Sequence, residues 1–347
     1  EKILNILVNK LNEIHGVKKK LAYWRIIVGP WLIFYISTMF DRWEVLRSFF
    51  KEFKGNKINI LYNKSDRNKI LTYDTQSFYD KASQNDEWNY LVFLRILENE
   101  YSNKIEKIEV EDLNFKKDLK NPKRESLLKS LFFLADDFLS LLAIRFNSII
   151  IENSYFPKID LIKILTKIGQ IPAFFSNTFN HKKNTSLTVR SDLRNANLKN
   201  LGYRDKFIKF LLDYIFDDLP MVFVEDYENI NKKNDKFNSL KKKLIIATTS
   251  YAFNERFKFW MAKMHEKGSK IQIISHGGFL PTDIDGNFSH EQVIADKYLA
   301  WNKLITKNSK CLPPVQLRKY KNYSNQFKEN CLIIETSVLP YAVKCQS

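Results

Sequence analysis

Two short apolar runs end in acidic residues, and both ends are candidates for chemistry. Ser148-Ile149-Ile150-Ile151 stops at Glu152-Asn153-Ser154-Tyr155-Phe156-Pro157, and Met221–Val224 runs directly into Glu225-Asp226-Tyr227. Each run has the length and composition of a buried strand, and ligands of open α/β sheets sit beyond the carboxyl ends of strands. A carboxylate at such an edge can act as nucleophile in retaining glycosyl transfer while a second group manages the proton. A plain strand exit with a solvated Glu152 answers to the same residues, and sequence spacing fixes no distance between the acids.

A third run, Ile271-Gln272-Ile273-Ile274, reaches Ser275-His276-Gly277-Gly278. Paired glycines let backbone come close to a ligand and bare its N–H groups. A histidine there can donate to a phosphate oxygen, although the same letters also spell a tight turn. Glu291 and Asp296 follow within HEQVIADKYLAW. A carboxylate there suits the hydroxyls of a ribose, and helix-surface charge suits it equally. Arg190 and Arg194 would share one helix face and could meet a carboxylate or a phosphate. Asp283-Ile284-Asp285 has the spelling of a metal-binding DxD, but it sits in a glycine-containing loop and is read as a turn. No HExxH, Walker loop, GxSxG or GxGxxG is present.

The elements that must position these residues centre on 244–301. Leu244–Ala247 reads as a strand, and Phe253, Phe257, Met261 and Met264 as one helical face ending near Gly268. Ile271–Ile274 is then the next strand of a right-handed parallel crossover. Upstream, residues 1–23 form an amphipathic helix with Ile3, Leu4, Leu7, Leu11 and Ile14 inward. Gly29-Pro30 is expected to turn the chain before a buried helix from Trp31, since Ile26–Phe40 is too short to span a membrane comfortably. Residues 58–62 read as a strand. Leu127–Phe146 reads as a strong helix with Asp136 and Asp137 on its solvated side, and 159–168 and 204–216 as further helices. Lysine-rich 231–243 reads as a linker between an N-terminal unit, 1–240, and a C-terminal unit, 241–347. Cys331–Glu335 resumes a strand. The fold class is α/β with a helix-rich first half. The second half, about 107 residues, is short for a nucleotide-binding domain and is expected to be incomplete.

A hydrophobic fraction of 44% with 14% aromatic residues describes a folded chain. Three cysteines, Cys311, Cys331 and Cys345, have no metal-ligand spacing and suit a reducing compartment. Residue 1 is Glu, and no signal peptide is visible in this sequence. The net charge of +17 fits nucleic acid, an anionic membrane surface, an acidic substrate, or simply a lysine-solvated surface. No Arg-rich helix, zinc-finger spacing or RNA-binding signature accompanies it.

A set of motifs occurs in order along the chain. They are Leu11-Asn12-x-x-His15, Tyr23-Trp24-Arg25, Gly29-Pro30-Trp31-Leu32, Asp41-Arg42, Leu219-Pro220 with Glu225, His276-Gly277-Gly278, and Glu291…Ala295-Asp296-Lys297…Trp301. This resembles a bacterial family of surface-polysaccharide (O-antigen type) transferases first catalogued in Leptospira, itself similar to the retaining β-Kdo glycosyltransferases of family 99. The tryptophan–arginine, Gly-Pro-Trp-Leu and Asp-Arg cluster carries it most specifically. The chain departs from the pattern at Phe279-Leu280-Pro281 and at Asn302-Lys303.

The resemblance implies a GT-B-like pair of Rossmann-type halves facing a cleft. It also implies a CMP-activated ulosonic acid donor, Kdo or a relative, and double displacement without a metal or other cofactor. It gives the nucleophile's role to Glu225, with Asp226 the adjacent alternative, while Glu152 assists proton transfer or positions the acceptor. Ser275, His276, Gly277 and Gly278 would bind the donor phosphate and Glu291 the nucleotide, with Trp24, Arg25, Asp41, Arg42 and Arg190 in support. The implied partners are the CMP-sugar, a glycan or glycolipid acceptor and the anionic inner face of the cytoplasmic membrane, with no specific nucleic acid. The implied location is the cytoplasm, peripheral to that membrane. A basic nucleic-acid-binding protein, and an epimerase or hydrolase of sugar nucleotides, are the rival expectations.

Overall fold

The helix expected to break at Gly29-Pro30 is continuous over 32 residues and forms the axis of the molecule. The computed structural model describes residues 1–63, 70–111, 113, 115, 127–184, 186–194, 203–237, 242–275, 290–300, 308–312 and 340–343. In chain order, the first half gives α1 (Lys2–His15), α2 (Leu21–Glu52), β1 (Ile58–Tyr62), α3 (Thr75–Gln84), α4 (Asp86–Glu100), β2 (Ile105–Glu109) and α5 (Leu127–Phe146). Then come β3 (Ile149–Glu152), α6 (Lys158–Lys167), α7 (Ser191–Arg194), α8 (Lys206–Asp218), α9 (Met221–Val224) and α10 (Tyr227–Asp235). The remainder is β4 (Leu244–Ala247), α11 (Ser250–Phe253), α12 (Glu255–Glu266), β5 (Lys270–Ile274), α13 (His290–Ile294), β6 (Lys297–Ala300) and β7 (Ser309–Cys311).

Packing explains why α2 survives its proline. A mid-helix proline removes one hydrogen bond and costs about 3 kcal/mol. Against that, Tyr23, Trp24, Ile27, Val28, Trp31, Tyr35 and Met39 are all buried, and α1, α3, α4, α8, α11, α12 and α13 pack around the helix. By length and composition α2 could cross a membrane, but 61% of its most apolar stretch is buried inside the protein.

Local sequence sets the helix ends. Gly16 takes a left-handed φ of 60° to close α1. Asp74 and Ser77 form a reciprocal capping box on α3. Asn254 ends α11 and caps α12 by accepting the Phe257 N–H, so Phe253 falls outside the helix its spacing suggested.

Among the described residues five strands form a parallel sheet in the order β3-β4-β5-β6-β7, and β1 pairs with β2 in a separate parallel pair. The mixed α/β class expected from sequence is thus present, with thirteen α-helices among the described residues. β3 pairs with β4 along its whole length, Glu152 opposite Ala247. The sheet therefore draws strands from both sides of the lysine-rich 231–243 segment. That segment begins as the end of α10, and its Lys242 is buried with Nζ on the Asn147 carbonyl at 2.9 Å.

Two local expectations are corrected. Met221–Val224 is a helical turn, because four apolar residues cannot fix a period and Pro220 starts a helix: the Phe223 N–H reaches the Pro220 carbonyl at 2.9 Å. Asp136 is buried, accepting the Phe174 and Ser176 N–H groups at 2.8 and 2.9 Å. β2 had no strand signal in its alternating charges and gains its place by pairing with β1. The strand expected at Cys331–Glu335 and the DxD turn at Asp283–Asp285 lie outside the described residues.

Candidate active site

A cavity of about 720 Å³ opens at the carboxyl edge of the large sheet. Its walls come from the end of β3 (Ile151, Glu152, Asn153), the turn after β4 (Thr249, Ser250), the strap 174–181, and Asp74 with Glu255. Two bonds tie the strand ends together. Asn153, at a positive φ of 47°, donates to Thr249 Oγ1 at 2.6 Å, and Thr248 donates back to the Asn153 carbonyl.

Glu152 is buried at this edge, and its Oε2 has no hydrogen-bond partner among the described residues. Burial pushes its carboxyl up to about 7, with only the Ser250 hydroxyl opposing. A carboxyl poised there can carry a proton at neutral pH.

Asp226 is tuned the opposite way. It sits between α9 and α10, fully buried, with His181 Nε2 at 2.8 Å and the Tyr73 hydroxyl both on Oδ2, and the Asn229 amide on Oδ1 at 2.9 Å. Burial alone would raise its carboxyl, but these donors outweigh it and hold the group below the usual carboxylate range. Tyr73 responds in the other direction: burial and the Asp226 charge push its phenol well up. His181 is the link to the cavity, since it lines the wall and touches Asp226. Its Nδ1 has no partner among the described residues.

Glu225 is engaged elsewhere. Arg194 grips both of its oxygens, Nε to Oε1 at 2.8 Å and Nη2 to Oε2 at 2.6 Å, and the Arg190 N–H adds a third bond at 3.0 Å. The pairing of Arg190 and Arg194 expected on a helix face exists only through this carboxylate. The Arg190 side chain itself is exposed and bound to Asp192.

The other motif residues build the frame. Asn12 accepts from the Trp24 indole N–H at 2.9 Å and the Lys19 N–H at 3.0 Å, closing the α1–α2 turn. His15 stacks on Tyr227 at 3.8 Å between ring centres and bonds the Phe223 carbonyl at 2.9 Å, so the turn bearing Glu225 and Asp226 is pinned to α1. Arg25 pairs with Glu1 at the surface. Arg42 is buried and joins Asp41, Asn89 and the Ala82 and Ala342 carbonyls, a structural clamp between α2, α4 and residues 340–343. Gly29 leaves room for the His290 ring, which a side chain there would strike.

Of the residues expected to bind a donor, Ser275 is buried after β5 with its N–H on the Leu299 carbonyl at 2.8 Å. Glu291 is buried in α13 and accepts the Tyr251 hydroxyl. Asp296 caps the sheet edge, accepting the Ile271 N–H at 2.9 Å and Lys270 Nζ at 2.7 Å. His276, Gly277 and Gly278 lie outside the described residues. Among the described residues no group of three or more His, Cys, Asp or Glu side chains is arranged to hold a metal ion.

Sequence reasoning missed His181, Tyr73 and the Thr249-Ser250 hydroxyls. The available signal was slight: a histidine following asparagine in a polar stretch, and a Thr-Thr-Ser run directly after a buried strand.

The architecture is that of an α/β protein with a polar cavity at its sheet edge, Glu152 in the cavity wall and the oppositely tuned Asp226 buried behind His181 of that wall. The whole chain, residues 1–347, matches the family described as LIC12162 family transferase, and it belongs to that family. No curated protein and no solved structure matches it.

Proposed function

We propose that this transferase moves Kdo or a related ulosonic acid from a CMP-activated donor, with retention, onto a glycan or glycolipid of a cell-surface polysaccharide. The observation that carries this reading is the contrast between Glu152, in the cavity wall and protonatable near neutrality, and Asp226, held ionised and joined to that wall through His181. Carboxyl groups driven apart in this way divide the work of nucleophile and proton carrier. The nucleophile's role falls to Asp226 over Glu225, because both Glu225 oxygens are committed to Arg194.

In the first step an Asp226 oxygen attacks the anomeric carbon. The bond to the phosphate oxygen breaks, and CMP leaves with the electron pair. In the second step an acceptor hydroxyl attacks the same carbon as Glu152 takes its proton, and the Asp226 ester bond breaks. Two inversions leave the configuration retained. Double displacement through a carboxylate requires no metal ion. A carboxylate offers about four lone-pair sites, and the His181, Tyr73 and Asn229 bonds leave room for one more. The donor's nucleotide end falls to the β5–α13 side, with Ser275, His276, Gly277, Gly278 and Glu291, in a GT-B-like arrangement. The enzyme works in the cytoplasm at the inner face of the cytoplasmic membrane. No specific observation favours the nucleic-acid reading.

The test is incubation with CMP-Kdo and related CMP-sugars, followed by intact mass spectrometry. A sugar adduct is expected on the native protein. It should be absent in Asp226→Asn, retained in Glu225→Gln that still folds, and accumulated in Glu152→Gln because its release is slowed. An adduct that survives Asp226→Asn removes that residue from the role. No adduct and no CMP release with any donor removes the reading.

A further inference from the structure

α5 buries Ala143 and Ile144 in the core yet leaves other large apolar side chains exposed. Its inward side carries polar groups: Asp136 holds the Phe174 and Ser176 N–H groups, and Ser140 Oγ accepts the Phe175 N–H at 3.2 Å. Its outward side carries Leu134, Phe138 and Leu141, exposed by 68, 63 and 47%. With Arg145 these follow the i, i+4, i+7, i+11 spacing of one helical stripe. The stripe ends at Phe146, also exposed, with the Arg145 guanidinium over its ring at 5.8 Å. Large apolar side chains grouped on one exposed face mark an interaction surface rather than ordinary exposure.

Charge selects the partner. The sequence running into the helix, residues 116–129, contains Lys116, Lys117, Lys120, Lys123, Arg124 and Lys129 against Asp118 and Glu125, in a chain of net charge +17. An apolar helical stripe preceded in sequence by a basic run suits the headgroup boundary of an anionic bilayer. We infer that the Leu134–Phe138–Leu141 stripe of α5 docks in the plane of an anionic lipid surface. The strap 174–176, bonded to the opposite side of the same helix, lines the cavity. One helix diameter, about 10–12 Å, then separates lipid from cavity wall. That proximity suits a lipid-linked acceptor and rests on the glycosyl-transfer reading, whereas the docking itself does not.

The test is co-sedimentation of the intact protein with sucrose-loaded vesicles of phosphatidylglycerol and phosphatidylethanolamine, compared with phosphatidylcholine alone. Binding is expected on the anionic vesicles, weakened by salt. The L134S/F138S/L141S variant should bind at least about tenfold more weakly while keeping its circular dichroism and its thermal midpoint. Independently of that variant, Phe138→Trp should show extra fluorescence quenching by brominated acyl chains, relative to the unmodified protein. No vesicle binding by the native protein, equal binding to zwitterionic vesicles, or undiminished binding by the triple variant overturns the inference. So does a triple variant that converts a dimer to a monomer, which would give the stripe to a second copy of the chain. Loss of vesicle binding with CMP release intact separates failure of docking from failure of the transfer reading.

Discussion

Arg194 holds Glu225 through two parallel bonds of 2.8 and 2.6 Å, with both side chains buried. The next residue, Asp226, takes its partners from His181, Tyr73 and Asn229 instead. One peptide bond thus separates a carboxylate committed to the fold from one connected to the cavity. Arg194 also caps the end of α8, donating to the Phe216 and Leu219 carbonyls at 2.8 and 2.7 Å. Its own placement therefore depends on Glu225.

Glu225→Ala is expected to act on stability first. It leaves the Arg194 guanidinium buried without a counter-charge, a change worth about 3–5 kcal/mol. Asp226→Asn preserves the shape of its site but removes the charge, so turnover should fall at least about a thousandfold with a smaller effect on melting. Thermal unfolding and CMP release, measured on both variants, separate the two roles. Equal loss of activity in a Glu225→Gln protein of native melting temperature would contradict this division.

Glu152 makes stability depend on pH in a direction unusual for a carboxyl. Its folded value, about 7, lies above the ordinary 4.5. Between these values the folded protein keeps the proton that the unfolded chain releases, so this residue's contribution falls as pH rises and is fully lost above about 7. Glu152→Gln should abolish the loss, gaining up to about 3 kcal/mol on the native protein between pH 4.5 and pH 8. Chemical denaturation across that range measures the difference. The same substitution should remove the limb near pH 7 from the rate of sugar transfer.

Much of this arrangement was legible before any coordinates, and the exceptions have physical causes. The 244–274 strand–helix–strand was legible because a buried parallel strand and a helical face carry separate periods. Glu152 was legible because a β-branched run ends at it. Met221–Val224 was misread because four apolar residues carry no period, and only the N–H bonds to Thr72 and Tyr73 at 3.0 and 2.8 Å show what the turn is for. Gly29-Pro30 was misread as a break because sequence does not show how much surrounds a helix. Asp136 was assigned to solvent because its partners, the N–H groups of 174 and 176, are backbone and leave no mark on composition. His181 reaches Asp226 across 45 residues, a separation that no local pattern reports.

Gly29 has a function in packing that can be tested directly. A Cβ at this position would strike Cε1 of the His290 ring, inside any tolerable contact. His290 is half-buried with its ring stacked toward Tyr251 at 6.4 Å, and desolvation of the ring with the nearby Lys258 and Arg25 charges lowers its imidazole to about 3. It is therefore neutral at pH 7 and acts as a space-filling ring. Gly29→Ala should destabilise the protein by about 1–3 kcal/mol. His290→Ala should cost stability of its own by leaving a void, but in the double variant the two losses should sum to less than their separate values. Additive losses in a double-mutant cycle would show that the ring is not what occupies the space.

The link between His181 and Asp226 predicts a shift in pH dependence that a purely structural histidine would not produce. Asp226 stays ionised because donated hydrogen bonds outweigh its burial, and the His181 bond is first among them. Such a group contributes stability above the ordinary carboxylate pKa and loses it as pH falls through its lower folded value. His181→Phe keeps a ring in the wall but withdraws that donor, so burial prevails and the Asp226 carboxyl rises. The acid limb of CMP release should then move to higher pH, and turnover at neutral pH should fall by at least about tenfold, as expected for one bond to a charged group. Tyr73→Phe should move the limb the same way, since its hydroxyl donates to the same oxygen. If His181→Phe lowers the melting temperature and scales the rate down equally at every pH, the histidine supports the strap alone and Asp226 owes its ionisation to other groups.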